Sequence, residues 1–196
     1  MSLVDLVDNT RTDKNTGHSY LPVYDVLLKS KKQSALNVLE VGIGDGNQGA
    51  TNGGSIKLWK DYFPNAIVHA LDILPIDRIW DGIKGNPRIK LYTSFDAYNA
   101  NLVKTNFTDK NMKFDFVIDD GPHSLDSMAS FINLYLPLLN NDGILIIEDI
   151  QQYNWVHALK STVPENLRKY VQVFDRRNVK GRYDDILFVV DMSKTV

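Results

Sequence analysis

The sequence predicts an α/β fold: a mostly parallel sheet with helices on both faces and one antiparallel strand at its end. Three observations carry this reading. Short apolar runs recur along the chain at 36–41, 67–73, 88–92, 114–120, 144–147, 170–174 and 186–190. Such runs, closed by glycine or carboxylate residues, are what strands buried on both faces require. Most are separated by stretches whose apolar residues recur at helical spacing, so strand and helix alternate as in a parallel sheet. The last two runs are joined only through Arg176–Arg182, too short for a crossover helix, which predicts antiparallel pairing.

The first strand, Leu36–Val41, runs into Gly42-Ile43-Gly44-Asp45-Gly46. Glycines at alternate positions tolerate positive φ and let backbone approach a ligand closely. A strand, a glycine turn and a helix together open many nucleotide-binding α/β folds. Before it, Leu21–Lys32 reads as a helix with Pro22 in its first turn and Val23, Val26 and Leu27 on one face. After it, Ser55 is placed to cap a helix carrying Ile56, Leu58, Trp59, Tyr62 and Phe63. Ile67–Ile73 is the second strand, with Asp72 at its carboxyl end, and Arg88–Tyr92 the third; Ile76–Gly82 between them is a short helix or turn. A weaker helix covers Ala97–Asn106. Phe114–Asp120 is the fourth strand. The helix after it has Ser124 as its cap, Leu125, Met128, Ala129, Ile132, Leu136 and Leu139 at helical spacing, and Pro137 limiting its far end. Asn140–Gly143 reads as a turn before the fifth strand, Ile144–Ile147. Gln151–Lys169 is helical in parts and interrupted at Pro164.

Length and composition bound the function. A chain of 196 residues suits a single domain, 1–196, with an N-terminal flap and helix (1–34) and a core (35–196). Lys and Arg number 22 against 24 Asp and Glu, so no global basic field argues for nucleic acid. Cysteine is absent, which excludes disulfides, thiolate zinc and a cysteine nucleophile. No apolar segment reaches the roughly 20 residues needed to span a bilayer, and Met1–Thr10 is too acidic and broken for a signal peptide. A cytoplasmic enzyme or binding domain is expected, with a small-molecule partner and neither nucleic acid nor membrane; a homo-oligomer is compatible with this.

Ligands of such sheets bind beyond the carboxyl ends of the strands. Here those ends carry Asp72, Asp119-Asp120 and Glu148-Asp149. Asp72 is placed to accept hydrogen bonds from both ribose hydroxyls of a nucleoside, one per carboxylate oxygen; the plainer alternative is a cap before Pro75. Carboxylates on neighbouring strand ends raise one another's pKa unless a cation compensates, and oxygen ligands suit Mg²⁺. Adjacent strand residues face opposite sides, so Asp119 and Asp120 are not both ligands. His123, three residues past Asp120, has the chemistry to take a proton from a substrate hydroxyl; alone it reads better as a helix-start or packed core histidine, and next to three acidic residues it does not. Lys14, His18 and Tyr20 offer more chemistry than a tail needs, although position alone favours an exposed arm. A hydride-transferring dinucleotide enzyme is disfavoured: the fingerprint Gly-x-Gly-x-x-Gly has Asn47 where its third glycine belongs.

Leu39-Glu40-Val41-Gly42-Ile43-Gly44-Asp45-Gly46 resembles the first motif of class I S-adenosylmethionine-dependent methyltransferases. A longer ordered series extends the likeness: Thr12-Asp13-Lys14 with His18 and Tyr20; Gly53-Gly54-Ser55 with Trp59; Tyr62-Phe63-Pro64-Asn65-Ala66; Asp119-Asp120-Gly121-Pro122-His123; and Glu148-Asp149. Over residues 12–150 this resembles the metal-dependent macrolide and sugar O-methyltransferases, a family related to proteins named cephalosporin hydroxylases. The resemblance implies a Rossmann-like, seven-stranded, mostly parallel sheet with an antiparallel last strand. It implies a methyl donor, S-adenosylmethionine, held by Glu40, Gly42, Gly44, Asp45, Ser55 and Asp72, with Lys14, Tyr20, Asp96 and Asp119 beside them. It implies Mg²⁺ on Asp120, Glu148 and Asp149, and His123 as the base that deprotonates a hydroxyl of a sugar-like or other small-molecule diol. The chain departs from the family at Pro122, where serine is usual, and at Thr93–Asp96, where a donor motif matches poorly. The rival readings are a metal-independent methyltransferase of the same fold and a nucleoside-binding module without chemistry.

Overall fold

The computed structural model describes residues 1–44 and 52–194. The chain forms two compact units, Met1–Ala97 and Tyr98–Val196.

The first unit contains α1 (Leu3–Leu6), α2 (Leu21–Leu28), β1 (Asn37–Val41), α3 (Gly54–Tyr62), β2 (Ile67–Leu71) and β3 (Ile89–Tyr92). Its strands lie in the order β3-β2-β1, all parallel, with Val38 opposite Val68 and Val68 opposite Ile89. β1 and β2 are buried almost throughout, so they read as near-continuous apolar runs. Helix α2 is shorter than expected and ends in a 3₁₀ turn, Lys29–Lys31. Its buried face is Val23, Tyr24, Leu27 and Leu28, and Val26, expected there, is 76% exposed. Residues at i, i+1, i+4 and i+5 share a helix stripe; i+3 from Val23 falls at its outer edge. Ser55 does not cap α3: Gly53 does, because the cap adopts φ +76°, which glycine alone reaches without strain.

His69 in β2 is fully buried, between the Tyr92 hydroxyl (3.2 Å from Nδ1) and the Asn37 side-chain oxygen (3.3 Å from Nε2). Burial, with a smaller push from Lys90, lowers its pKa to about 4. Between pH 6.5 and 4 the unfolded chain binds a proton at this residue and the folded chain does not. Stability therefore falls as pH drops through that window, by roughly 3 kcal/mol from this group. Urea midpoints at pH 7.5 and 4.5 should separate more for the wild type than for His69→Gln; equal separation would remove His69 from the acid response.

The second unit contains α4 (Ala100–Val103), which continues as a π-helical stretch, then β4 (Phe114–Asp119), α5 (Leu125–Tyr135), β5 (Leu139–Ile147), α6 (Trp155–Thr162), β6 (Val171–Asp175), α7 (Arg177–Lys180) and β7 (Ile186–Asp191). The order is β4-β5-β7-β6. β4 and β5 are parallel, and β7 is antiparallel to both β5 and β6, as expected of the last strand. All of β4 and β7 is buried. Ser124 caps α5 in a reciprocal arrangement with Ser127.

Asn140–Gly143, expected as a turn ahead of the strand, lies within β5 instead. Phe114 pairs with Leu139 and Phe116 with Ile144, so the extra residues form an irregularity in the ladder. Asn140 occupies it and donates to the buried Asp115 carboxylate at 2.8 Å. Two of the basic residues between β6 and β7 form local ion pairs: Arg177 with Asp175 (2.7 Å) and Arg182 with Asp184 (3.2 Å).

Candidate active site

In the first unit the glycine turn is tied to the end of β2. Gly42 has φ +92° and donates its N–H to the Leu71 carbonyl at 2.9 Å. Ile43 donates its N–H to Asp72 Oδ2 at 2.7 Å, and Leu74 donates to Oδ1 at 2.8 Å. The two amides aim the carboxylate, and each oxygen keeps a second lone pair for a ligand hydroxyl. Gly44 bridges to Asn52; a Cβ at Gly44 would lie 2.7 Å from the Asn52 amide nitrogen. Asn52 in turn accepts from the Trp80 N–H (3.2 Å) and donates to the Arg78 carbonyl (3.0 Å). Asp45 lies outside the described residues. Asp96 follows β3 and is exposed.

The N-terminal segment is no exposed arm. Lys14, His18 and Tyr20 are 1%, 2% and 1% exposed. The Lys14 ammonium lies 3.5 Å from Glu40 Oε1, and the Trp59 indole N–H donates to Oε2 of the same carboxylate. His18 stacks on Tyr20 at 4.7 Å, and Tyr24 and Trp59 continue the aromatic row. Glu40, Lys14 and Tyr20, assigned to the donor by resemblance, are thus packed inside the first unit and bonded within it. The same segment crosses the start of α3, where a Cβ on Gly54 would lie 2.4 Å from the Arg11 carbonyl. Arg11 also stacks over Trp80 at 4.5 Å. Ser55 is buried one position further along α3. Sequence reasoning missed Arg11, Asn52 and Trp80, none of which stands in a recognisable motif.

In the second unit β4 ends at Asp119 and the chain turns through Asp120-Gly121-Pro122-His123 into α5. β5 ends at Ile147 and is followed by Glu148-Asp149. The two turns bring Asp120, His123 and Asp149 together, each offering a ligand atom within 4.8 Å of the others. His123 Nε2 stands 3.8 Å from Asp120 Oδ1 and 3.6 Å from Asp149 Oδ2. All three side chains are partly accessible. His123 (φ +52°) and Asp149 (φ +55°) are both held in the left-handed region. Such strain persists only where surrounding structure over-determines it, and it concentrates at functional sites.

Two expected placements differ. Glu148 is 1% exposed and is not part of this group. Its neighbour Asp149 has φ +55°, in the left-handed region, and its side chain is partly accessible. Asp119 is buried too, and accepts the Tyr98 hydroxyl at 2.5 Å. Burial, assisted by Asp120 and opposed by that hydrogen bond, pushes its pKa up to about 7. Tyr98, its partner, had no signal in the sequence.

No protein-family model matches the chain. It is 29% identical over 144 residues to an 8-demethyl-8-alpha-L-rhamnosyl tetracenomycin-C 2'-O-methyltransferase of Streptomyces olivaceus, covering 74% of this chain and 36% of that protein. It is 29% identical over 140 residues to an L-olivosyl-oleandolide 3-O-methyltransferase of Streptomyces antibioticus, covering 71% and 33%. The chain therefore spans about a third of the length of these curated relatives. Among solved structures, the methyltransferase MycE in complex with Mg, SAH and mycinamycin VI superposes with a TM-score of 0.75 at 22% identity, over 97% of this chain and 54% of that one. This is the class I methyltransferase fold.

Within the methyltransferase fold, the glycine turn and Asp72 stand at the ends of β1 and β2, and the acidic group at the ends of β4 and β5. Two carboxylates with an imidazole between them form a donor set suited to a divalent cation, which would offset the repulsion between Asp120 and Asp149. No helix among the described residues is long and apolar enough to cross a membrane.

Proposed function

We propose that the chain transfers a methyl group from S-adenosylmethionine to a hydroxyl of a sugar-like or other small-molecule diol, with a divalent cation assisting. The observation that carries this is the convergence of Asp120, His123 and Asp149, two of them in strained backbone, at strand ends of a methyltransferase fold. The relatives act, by their names, on sugars attached to larger natural products, which supports a hydroxylated acceptor. In this reading Asp72 receives the donor's ribose hydroxyls, and Gly42 and Gly44 give its backbone room. Asp120 and Asp149 would hold the cation, Mg²⁺ by preference, and a cation there would supply the Lewis acidity that lowers the pKa of the acceptor hydroxyl. His123 takes the hydroxyl proton at Nε2, and the resulting imidazolium is flanked by two carboxylates. Transfer is then an in-line displacement in which alignment contributes most.

Two measurements test this. Methyl transfer to a panel of glycosides should cease in excess EDTA and return with Mg²⁺; undiminished turnover in EDTA favours the metal-independent alternative. His123→Ala should lower turnover at least a hundredfold, an effect within the range of a lost general base. Retained Mn²⁺ affinity in that variant marks His123 as the base, and lost affinity marks it as a third ligand.

A further inference from the structure

The turn that carries Asp120 and His123 is held from behind by a residue outside every motif. Tyr98 donates its hydroxyl to Asp119 Oδ1 at 2.5 Å. The phenol oxygen occupies the space over Gly121: a Cβ there would lie 2.1 Å from it and 3.0 Å from Asp119 Oδ1. The backbone carbonyl of Asp119 accepts the Glu148 N–H at 3.1 Å, which ties the end of β4 to the end of β5 one residue before Asp149. One hydroxyl thus braces the side chain of a residue whose backbone carbonyl holds the turn after β5. The turns after β4 and β5 hold His123 and Asp149 in left-handed conformations that need such bracing.

We propose that Tyr98 is a positioning residue for the cation site, setting the Asp120–His123 turn through Asp119 and Gly121 without touching the ion. The inference rests on the cation reading above. Outer partners of metal ligands commonly change affinity by 10- to 100-fold when removed.

The test is Mn²⁺ titration of the full chain followed by electron paramagnetic resonance, with S-adenosylhomocysteine affinity measured in parallel by calorimetry. Tyr98→Phe, which deletes only the hydroxyl, should weaken Mn²⁺ about tenfold and leave S-adenosylhomocysteine affinity within about twofold. Gly121→Ala should weaken Mn²⁺ as well, but by less in the Tyr98→Phe background, where the colliding oxygen is gone; such non-additivity is the mark of a shared contact. Wild-type Mn²⁺ affinity in Tyr98→Phe overturns the inference. So does equal weakening of both ligands, which signals general loosening, and so does strict additivity of the two substitutions. A wild-type chain that binds no Mn²⁺ overturns the cation reading itself, and this inference with it.

Discussion

Asp149→Asn is expected to lower methyl transfer at saturating Mg²⁺ by at least a hundredfold while leaving the fold intact. The replacement removes one of two charges facing the proposed cation and keeps the side chain's shape. It also keeps the backbone: Asp149 has φ +55°, and asparagine is among the few non-glycine residues that enter this region readily. A hundredfold is about 2.7 kcal/mol of barrier, modest beside what a bound cation contributes to a developing alkoxide. Asp149→Gly sharpens the test, because it removes both the ligand and the backbone strain. That variant should be as inactive as Asp149→Asn yet melt higher than it, as expected where function keeps a strained residue. Half or more of wild-type turnover in Asp149→Asn, under the same Mg²⁺, would show that the carboxylate holds nothing the reaction needs.

The second large effect lies in the first unit. Lys14→Met should destabilise the chain by about 3–5 kcal/mol, because it leaves the Glu40 carboxylate charged and buried opposite an apolar side chain. Lys14 and Glu40 are 1% and 0% exposed, and the Trp59 indole binds the same carboxylate. A loss of that size is a large part of the 5–15 kcal/mol by which domains are stable. Lys14→Met/Glu40→Gln should recover most of it, since a neutral amide can still accept from Trp59. Denaturant midpoints of the two single variants and the double variant give the coupling. If Lys14→Met unfolds at the wild-type midpoint, the pair contributes nothing to the fold.

Much of the architecture was readable from local pattern. Phe114–Asp119 and Ile144–Ile147 declare themselves as strands because parallel strands buried on both faces must be continuously apolar. Ser124 announced the start of α5 because its hydroxyl satisfies an otherwise orphaned amide. Asn140–Gly143 misled for the opposite reason: turn-type residues served as an insertion inside β5, a use set by pairing with β4. Val26 misled because three apolar residues at plausible spacing did not reveal where the buried stripe was centred.

Asp120, Asp149, Asp72 and the glycine turn stand out in the sequence as candidates because carboxylates and glycines gather at the ends of its apolar runs. The burial of Glu40, Lys14 and Tyr20 was not legible there. Whether a charged residue faces a ligand or a buried partner depends on what the rest of the chain lays over it, and Lys14 lies 26 residues from Glu40 in sequence yet 3.5 Å away in space. Tyr98 and Asp119 are a second case, 21 residues apart and joined at 2.5 Å.

By itself, then, the order of residues determined the strand and helix alternation, the antiparallel last strand and the acidic strand ends, since each follows from local periodicity or from residue type. Tertiary structure alone decided which acids meet. It grouped Asp120 and Asp149 around His123, and left Glu148 and Asp119 buried. Side-chain direction at a strand end is set by the backbone of the turn that follows, and the left-handed conformations of His123 and Asp149 show only in the folded chain.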